Sequence, residues 1–251
     1  MQRFFITVIL IFIFKLVFAE TVPLADPFIL LHEGKYYAYG TYSNEGIIVF
    51  TSDDLKTWKK ENLALKKGDV WGNHWFWAPE VYKTKDGFLM YYSAEEHICA
   101  AKSKSPLGPF IQVEKKPILP EEKAIDHTLF IDDDGTPWIF FDRFKNGLSI
   151  WQAQLENDLV TIKKETLKQC IFSGQQEWEC KEGKVNEGSA VLKYNDKYYL
   201  TYSGNGYTSH FYGIGCAESS NINGEWVKDE RNPLYQKVGG LVGIGHHAFF
   251  S

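Results

Sequence analysis

The sequence has few cysteines and no cluster of basic residues, and these shortages exclude several classes of protein. Its 251 residues include four cysteines, none of them in a CxxC pair, so a cysteine-based zinc site is not predicted. The 27 Lys and Arg residues are scattered and the formal net charge is −5, which argues against a nucleic-acid partner. Long amphipathic helical periodicity is also absent. The remaining composition is that of one folded domain with a sizeable core.

The only strongly apolar run lies at the N-terminus. Arg3 precedes an apolar stretch over residues 4–14, and Val17-Phe18-Ala19 resembles a cleavage site. This pattern predicts a signal peptide over residues 1–19 and a secreted protein, extracellular or periplasmic. The alternative is an uncleaved membrane anchor, but the run is shorter than the roughly 20 residues that a span needs, and Lys15 interrupts it. We therefore expect residues 20–251 to form the mature domain, without stable membrane insertion.

The four cysteines would meet an oxidising compartment after secretion. They are Cys99, Cys170, Cys180 and Cys216, and they allow three disulfide connectivities. A bridge between Cys170 and Cys180 is the most local choice. Four buried free thiols are an equally good interpretation, because a chain of this length does not need covalent staples.

A repeat of about 50 to 60 residues dominates the chain, and 16% of its residues are aromatic. Each copy has a short apolar strand, a polar turn and an aromatic strand. The copies are Asp26-PFILLHEGKYYAYGT, Ala78-PEVYKTKDGFLMYYS, Asp126-HTLFIDDDGTPWIFF, Glu187-GSAVLKYNDKYYLTYS and the short Gly245-HHAFFS. Glu33-Gly34, Asp86-Gly87, Asp134-Gly135 and Asn195-Asp196 supply hairpin turns. Further strands are predicted after the hairpins, as in Gly46-IIVFTS.

Four short strands per unit of this length are typical of a propeller blade. The sequence therefore predicts an all-β fold, a five-bladed β-propeller. A β-sandwich is the rival all-β fold, but it would not repeat one hairpin motif at this spacing. Because the fifth copy stops at Ser251, we expect the fifth blade to be incomplete in this chain.

Acidic residues recur near the start of the first strand in each unit. First strands line the axis of a propeller, so Asp26, Glu80, Asp126 and Glu187 are expected to converge at one end of the channel, together with His246. Solvated turn acids are the simpler interpretation of any one of them, but several acids at one repeat position favour a site. Glycoside hydrolysis needs two separated carboxyl groups, one protonated and one ionised, and a third acid can keep a neighbour protonated.

Five motifs in order resemble glycoside hydrolase family 43 over residues 24–251. They are Ala25-Asp26-Pro27, Trp77-Ala78-Pro79-Glu80, Ile125-Asp126, Glu187-Gly188 before Lys197-YYLTYS, and Gly243-IGHH. The resemblance implies a hydrolase that inverts the anomeric centre. Asp26 would be the general base, Asp126 the modulator of the acid's pKa and Glu187 the general acid. His246 matches an axial histidine that helps to hold a structural calcium ion; no organic cofactor is implied.

The resemblance also implies the substrate class. α-L-Arabinofuranosides or β-D-xylosides of plant-type polysaccharides or oligosaccharides are expected, and exo or endo action stays open. Trp77, Arg143 and Tyr207 are candidate sugar-binding residues. The alternatives are packing between blades for the two aromatic residues and an ion pair with Asp142 for Arg143. A carbohydrate-binding propeller without catalytic activity is the alternative function.

Overall fold

Residues 21–250 form four antiparallel β-sheets, each built from consecutive strands. The structure is a computed structural model that describes residues 21–250, so the predicted signal peptide lies outside the described residues. Blade 1 contains β1 (Ala25–His32), β2 (Lys35–Ser43), β3 (Gly46–Ser52) and β4 (Lys59–Lys66). Blade 2 contains β5 (Trp77–Thr84), β6 (Gly87–Ala94) and β7 (His97–Ser103). In both blades the strand order follows the sequence.

The other two blades have the same meander. Blade 3 contains β8 (Ala124–Ile131), β9 (Pro137–Phe144), β10 (Leu148–Gln154) and β11 (Lys168–Phe172). Blade 4 contains β12 (Asn186–Tyr194), β13 (Lys197–Gly204), β14 (Gly213–Ser219) and β15 (Val227–Lys228), and β16 (Tyr235–Gln236) adds to β14. Three 3₁₀ turns cover Lys164–Thr166, Glu177–Cys180 and Val238–Gly240. None of the helices within residues 21–250 is long and apolar enough to cross a membrane.

The first strands of successive blades contact one another, β1 with β5, β5 with β8 and β8 with β12. The sheets are therefore arranged around an axis lined by these four strands, and the predicted all-β propeller fold is confirmed. Within residues 21–250 it has four blades, and the segment 241–250 follows the last of them without regular secondary structure.

The hairpin turns lie where the turn residues predicted them. Glu33 and Gly34 both adopt positive φ in the β1–β2 turn, as do Asn195 and Asp196 in the β12–β13 turn. Positive φ at both central residues fits the twist of a two-residue hairpin, which explains the Asn, Asp and Gly residues found there. The prediction of four strands per blade is wrong for blade 2. There Pro109 lacks an N–H group, and only isolated bridges from Phe110 and Ile111 replace the fourth strand.

The core lies between blades rather than within one layer. Because successive side chains of a strand point to opposite faces, β6 contributes Met90 and Tyr92 to the interface with blade 1 and Leu89 and Tyr91 to the interface with blade 3. A third cluster joins blades 3 and 4 around Phe140, Tyr202 and Trp226. Strands buried on both faces explain the aromatic content of the sequence.

Trp226 provides a test of this packing. Its side chain is 4% exposed, lies edge-on to Phe140, and donates a 2.9 Å hydrogen bond to Gln152. We expect Trp226→Ala to lower the free energy of unfolding by about 3–5 kcal/mol, because it leaves a cavity and removes a buried hydrogen bond to Gln152. Urea denaturation measures the loss. The control is Tyr194→Ala, which removes an aromatic side chain that is 65% exposed and should change stability by about 0.5 kcal/mol or less. Equal losses would contradict the core assignment.

All four cysteines are free thiols in the structure. Cys99 and Cys216 are buried, and the Sγ atom of Cys170 lies 3.1 Å from Oε1 of Gln152. The local Cys170–Cys180 bridge is not formed, as the free-thiol interpretation expects, but Cys170 is only partly buried and Cys180 is exposed, so the four thiols are not all buried.

Candidate active site

The first strand of each blade has the same backbone irregularity near its start. The pairing with the second strand skips residues between Ala25 and Phe28, Trp77 and Glu80, Ile125 and Thr128, and Glu187 and Ala190. Within each skip one residue has positive φ: Asp26, Ala78, Asp126 and Gly188, with His246 following in the last segment. Asp26, Asp126 and His246 are therefore structurally equivalent.

This geometry corrects the repeat register predicted from the sequence. Gly188, not Glu187, is the residue equivalent to Asp26, so Glu187 precedes the irregularity by one position. Glu80 follows it by two positions, and Ala78 is the equivalent residue in blade 2. The sequence repeat matched acidic residues with one another. The structural match depends instead on which residues are left out of the strand pairing, and only the structure shows this.

A hydrogen bond joins each irregularity to the preceding blade. The backbone N–H of the positive-φ residue donates to a side-chain oxygen on the second strand of that blade. The pairs are Ala78 with Thr41 (2.9 Å), Asp126 with Ser93 (3.2 Å), Gly188 with Asp142 (3.0 Å) and His246 with Ser203 (2.7 Å). Three of these four acceptors are hydroxyl groups and the fourth is a carboxyl group.

Asp26 and Asp126 meet at the His246 ring. Nδ1 of His246 lies 3.3 Å from Oδ1 of Asp26 and 3.7 Å from Oδ2 of Asp126. The structure thus brings together Asp26, Asp126 and His246, and charge interactions link Asp126 to Glu187 as well. These residues come from blades 1, 3 and 4 and from the segment after blade 4.

The carboxyl groups of Asp26 and Glu187 have different surroundings. Asp26 is partly exposed and accepts a 2.5 Å hydrogen bond from the Thr41 hydroxyl. Glu187 accepts a 2.8 Å hydrogen bond from the Tyr212 hydroxyl. Burial, and then the charge of Asp126, raises the pKa of Glu187 to about 8 although Tyr212 opposes this shift. Glu187 is therefore suited to hold a proton at neutral pH.

Asp126 is itself buried and perturbed. Burial first, and the charge of Asp26 second, raises its pKa to about 8. Asp142 on β9 is fully buried beside it, and burial together with the charges of Asp126 and Glu187 raises the pKa of Asp142 well above its ordinary range. The site therefore holds more protons at neutral pH than four isolated carboxyl groups would.

Sequence reasoning missed Thr41, Asp142 and Tyr212. The repeats carry the signal for the first two, because three of the quoted copies end in Thr41, Ser93 and Ser203. Asp142 takes the matching position in blade 3, directly after Phe141. Tyr212 carries no repeat signal. Glu80, expected at the axis, is buried and accepts a hydrogen bond from Tyr82, and burial raises its pKa to about 7.

Two of the candidate sugar-binding residues lie at the same end of the blades as the acids. Trp77 occupies in blade 2 the pairing position that Glu187 has in blade 4, and its ring stacks on that of Trp75 at 5.4 Å. Tyr207 lies in the loop between β13 and β14 and is 72% exposed. A contact of either aromatic ring with the substrate, such as stacking on a sugar ring, stays a prediction.

Arg143 is engaged within the protein. Its guanidinium group donates to Glu122 at 2.6 Å and lies 4.2 Å from the centre of the Trp151 ring. The alternative of an ion pair with Asp142 is wrong, because neighbouring residues of a strand point to opposite faces. A contact between Arg143 and the substrate stays a prediction.

The fit of His246 to a calcium site can be tested on the donor atoms around it. Calcium prefers six to eight oxygen ligands. Across residues 21–250, no group of three or more His, Cys, Asp or Glu side chains has the spacing of a metal site. Both ring nitrogens of the buried His127 and Nδ1 of His247 lack a partner, and nitrogen atoms are poor calcium ligands. The residues therefore do not fit a directly coordinated calcium ion.

A cavity of about 1100 Å³ lies elsewhere, at the hairpin ends of blades 2 and 3. Its lining includes Lys83, Lys85, Lys102 and Lys104, and it is at the opposite end of β5 and β8 from the acids. The carboxyl groups, not this cavity, define the candidate active site.

Comparison with known proteins shows which family the chain belongs to. The model of the family "Glycosyl hydrolases family 43" matches residues 21–251. A β-D-galactofuranosidase of Aspergillus niger is 27% identical over 90% of this chain and 70% of its own length. An extracellular exo-α-(1→5)-L-arabinofuranosidase of Cellvibrio japonicus is 23% identical over 93% of this chain and 77% of its own length.

Solved structures give a closer match. A structure described as an endo-1,4-β-xylanase from Bacteroides thetaiotaomicron is 52% identical, with a TM-score of 0.86 over 90% of this chain and 79% of that chain. A thermostable family-43 glycoside hydrolase is 36% identical, with a TM-score of 0.84 over 92% and 80% of the two chains. With the family model matching nearly the whole described domain, the chain belongs to glycosyl hydrolase family 43 and is a glycoside hydrolase that acts on carbohydrate.

Proposed function

We propose that the protein hydrolyses glycosidic bonds with inversion of configuration, with Asp26 as general base and Glu187 as general acid. The observation that carries this proposal is the contrast between the Asp26 and Glu187 carboxyl groups. Burial and the charge of Asp126 raise the pKa of Glu187 to about 8, whereas Asp26 accepts a hydrogen bond from Thr41 and lies beside the His246 ring. Two carboxyl groups in opposite protonation states are what inverting hydrolysis requires.

The reaction assigns one proton transfer to each group. Glu187 gives its proton to the glycosidic oxygen as the bond from that oxygen to the anomeric carbon breaks. Asp26 removes a proton from a water molecule as the water oxygen bonds to the anomeric carbon from the opposite face. Asp126 lies beside the same His246 ring as Asp26 and adds to the raised pKa of Glu187. Exchange with solvent then returns a proton to Glu187 and removes one from Asp26, which restores the starting state.

The pH dependence of kcat/KM tests the acid role. Since Glu187 must be protonated while the base is ionised, the profile should be bell-shaped, and its alkaline limb should fall as the pH rises through about 8. Tyr212→Phe removes a hydrogen bond that favours the ionised form of Glu187, so the alkaline limb should move to higher pH. The profile is measured on an unactivated oligosaccharide. An alkaline limb that stays in place or moves to lower pH in Tyr212→Phe would contradict the assignment of the limb to Glu187.

We propose α-L-arabinofuranosides or β-D-xylosides as substrates. Named relatives include the exo-arabinofuranosidase from Cellvibrio japonicus, and a 52% identical structure is described as an endo-1,4-β-xylanase. A panel of nitrophenyl glycosides, with arabinan and xylan, separates the two classes. Release of arabinose from the furanoside or xylose from the xyloside supports the proposal, and release from internal linkages alone indicates endo action. Binding of oligosaccharide without release, unchanged by Glu187→Gln, would favour the non-catalytic alternative.

We also propose that residues 241–250 belong to the first strand of a fifth blade. His246 has the positive φ of Asp26 and Asp126, and its N–H bonds to Ser203 as that of Asp126 bonds to Ser93. Leu241 and Phe249 are 63% and 50% exposed, which suits a strand whose neighbours would cover it. A crystal structure in which residues 241–250 are not extended, or in which the N–H of His246 does not bond to Ser203, would contradict this proposal.

Secretion and calcium binding stay proposals. Cleavage after Ala19 is tested by N-terminal sequencing of protein recovered from the medium or periplasm. A channel calcium ion that binds through water molecules is tested by dialysis against EDTA: a lower Tm that Ca²⁺ restores would support it, and an unchanged Tm would count against it.

A further inference from the structure

Asp142 is an exception in a hydrogen-bond pattern that repeats from blade to blade. In blades 1, 2 and 4 the residue at the matching position of the second strand is Thr41, Ser93 or Ser203, and its hydroxyl accepts the N–H of Ala78, Asp126 or His246, respectively. In blade 3 that position is Asp142, and its Oδ2 atom accepts the N–H of Gly188 at 3.0 Å. A carboxyl group replaces a hydroxyl group at the blade that holds Asp126.

Thr41 shows what the hydroxyl does when its own blade carries an acid. Its Oγ1 atom accepts from Ala78 of the next blade and also donates to Asp26 of its own blade at 2.5 Å. One side chain thus fixes a carboxyl group of one blade to the backbone of the next.

Asp142 accepts the N–H of the next blade as Thr41 does, and it lies beside the acid of its own blade. Its strand partner is Ile125, the residue directly before Asp126, and burial, together with the interaction with the Asp126 carboxyl group, raises the pKa of Asp142. Two neighbouring buried carboxyl groups are not both ionised. Within residues 21–250 the Oδ1 atom of the fully buried Asp142 has no hydrogen-bond partner, so only the Gly188 N–H at Oδ2 would compensate its ionised form. A proton on Asp142, donated to Asp126, satisfies both groups.

We propose that Asp142, as a neutral carboxylic acid, is a positioning residue that ties Asp126 of blade 3 to the backbone beside Glu187 of blade 4. Gly188 follows Glu187 directly, so the bond from its N–H fixes the strand that presents Glu187. Asp142 acts on the reaction through these two neighbours and touches neither the sugar nor the attacking water. This inference rests on the proposed roles of Asp126 and Glu187.

Two pairs of nearly isosteric variants test the proposal. Asp142→Thr supplies one group that can donate and accept, as Thr41 does, whereas Asp142→Val has the same shape without that group. Asp142→Asn supplies an amide N–H for Asp126 and an oxygen for Gly188, whereas Asp142→Leu supplies neither. We expect Thr and Asn to retain kcat within about threefold, and Val and Leu to lower it about 10- to 100-fold with KM little changed, because small displacements of catalytic groups are costly.

The measurement is steady-state kinetics on an oligosaccharide well below the Tm of each variant, with Tm determined in parallel. Rescue by Thr and Asn, relative to Val and Leu of similar Tm, supports the positioning role. Val as active as Thr would overturn it, as would an Asn variant as impaired as Leu, since that would require a charged or transferable Asp142. If Val and Leu do not fold, the outcome with Thr and Asn alone decides: retention supports the proposal and a 10-fold or larger loss overturns it.

Glu187→Gln in the same assay tests the proposed function separately, because its large defect is expected whatever Asp142 does.

Discussion

Replacement of Asp26 by Asn is expected to lower kcat by about 10²- to 10⁴-fold on oligosaccharides and on nitrophenyl glycosides alike. The amide cannot remove a proton from water, and every substrate needs that step whatever its leaving group. The amide can still accept the hydrogen bond from Thr41, so the site should keep its shape. Initial rates on the two kinds of substrate measure the effect.

The matched control is Asp196→Asn, the same chemical change at an exposed turn position where positive φ suits Asn as well. It should leave kcat unchanged. An Asp26→Asn enzyme that stays fully active on nitrophenyl glycosides would show that Asp26 is not the base.

Replacement of Glu187 by Gln is expected to separate the two kinds of substrate. On natural linkages kcat should fall about 10²- to 10⁴-fold, because the leaving oxygen receives no proton. On nitrophenyl glycosides the loss should be much smaller, since nitrophenolate leaves without protonation, and the alkaline limb near pH 8 should disappear.

Glu230→Gln, at an exposed position, is the control for this change and should behave as the unmodified enzyme. Equal losses of kcat on both kinds of substrate would contradict the acid role, because a group that only protonates the leaving oxygen matters less as that oxygen becomes a better leaving group. Glu187→Gln should spare nitrophenyl glycosides, whereas Asp26→Asn should not. Damage to the fold would instead lower the activity of both variants on both kinds of substrate.

The sequence predicted the architecture because hairpin chemistry and strand patterning are local properties. The Glu33-Gly34 and Asn195-Asp196 turns need positive φ, and their residue types indicate it directly. The propeller followed from the spacing of such hairpins. Blade 2 is the exception, because the loss of its fourth strand depends on how Phe110 and Ile111 meet blades 1 and 2.

The site was predictable only in part. Asp26, Asp126 and His246 share an equivalent backbone position, so the repeat revealed them. The repeat placed Glu187 at the position that Gly188 occupies, one residue too early, because only the strand pairing shows which residues of β12 are left unpaired. Protonation was not predictable for Asp126 and Asp142, since it depends on burial by neighbouring blades. Tyr212 reaches Glu187 from an irregular loop, and no repeat places it there.

The stereochemistry of the first-formed product tests the central claim most directly, because it reports whether water or a protein carboxyl group attacks the anomeric carbon. Proton NMR of a substrate of known anomeric configuration, recorded during early turnover before mutarotation, distinguishes the two anomers. With Asp26 as base and Glu187 as acid, the first sugar released has the inverted configuration. A first product of retained configuration would require a glycosyl-enzyme intermediate or its equivalent, and it would contradict the role of Asp26 as the base that activates water.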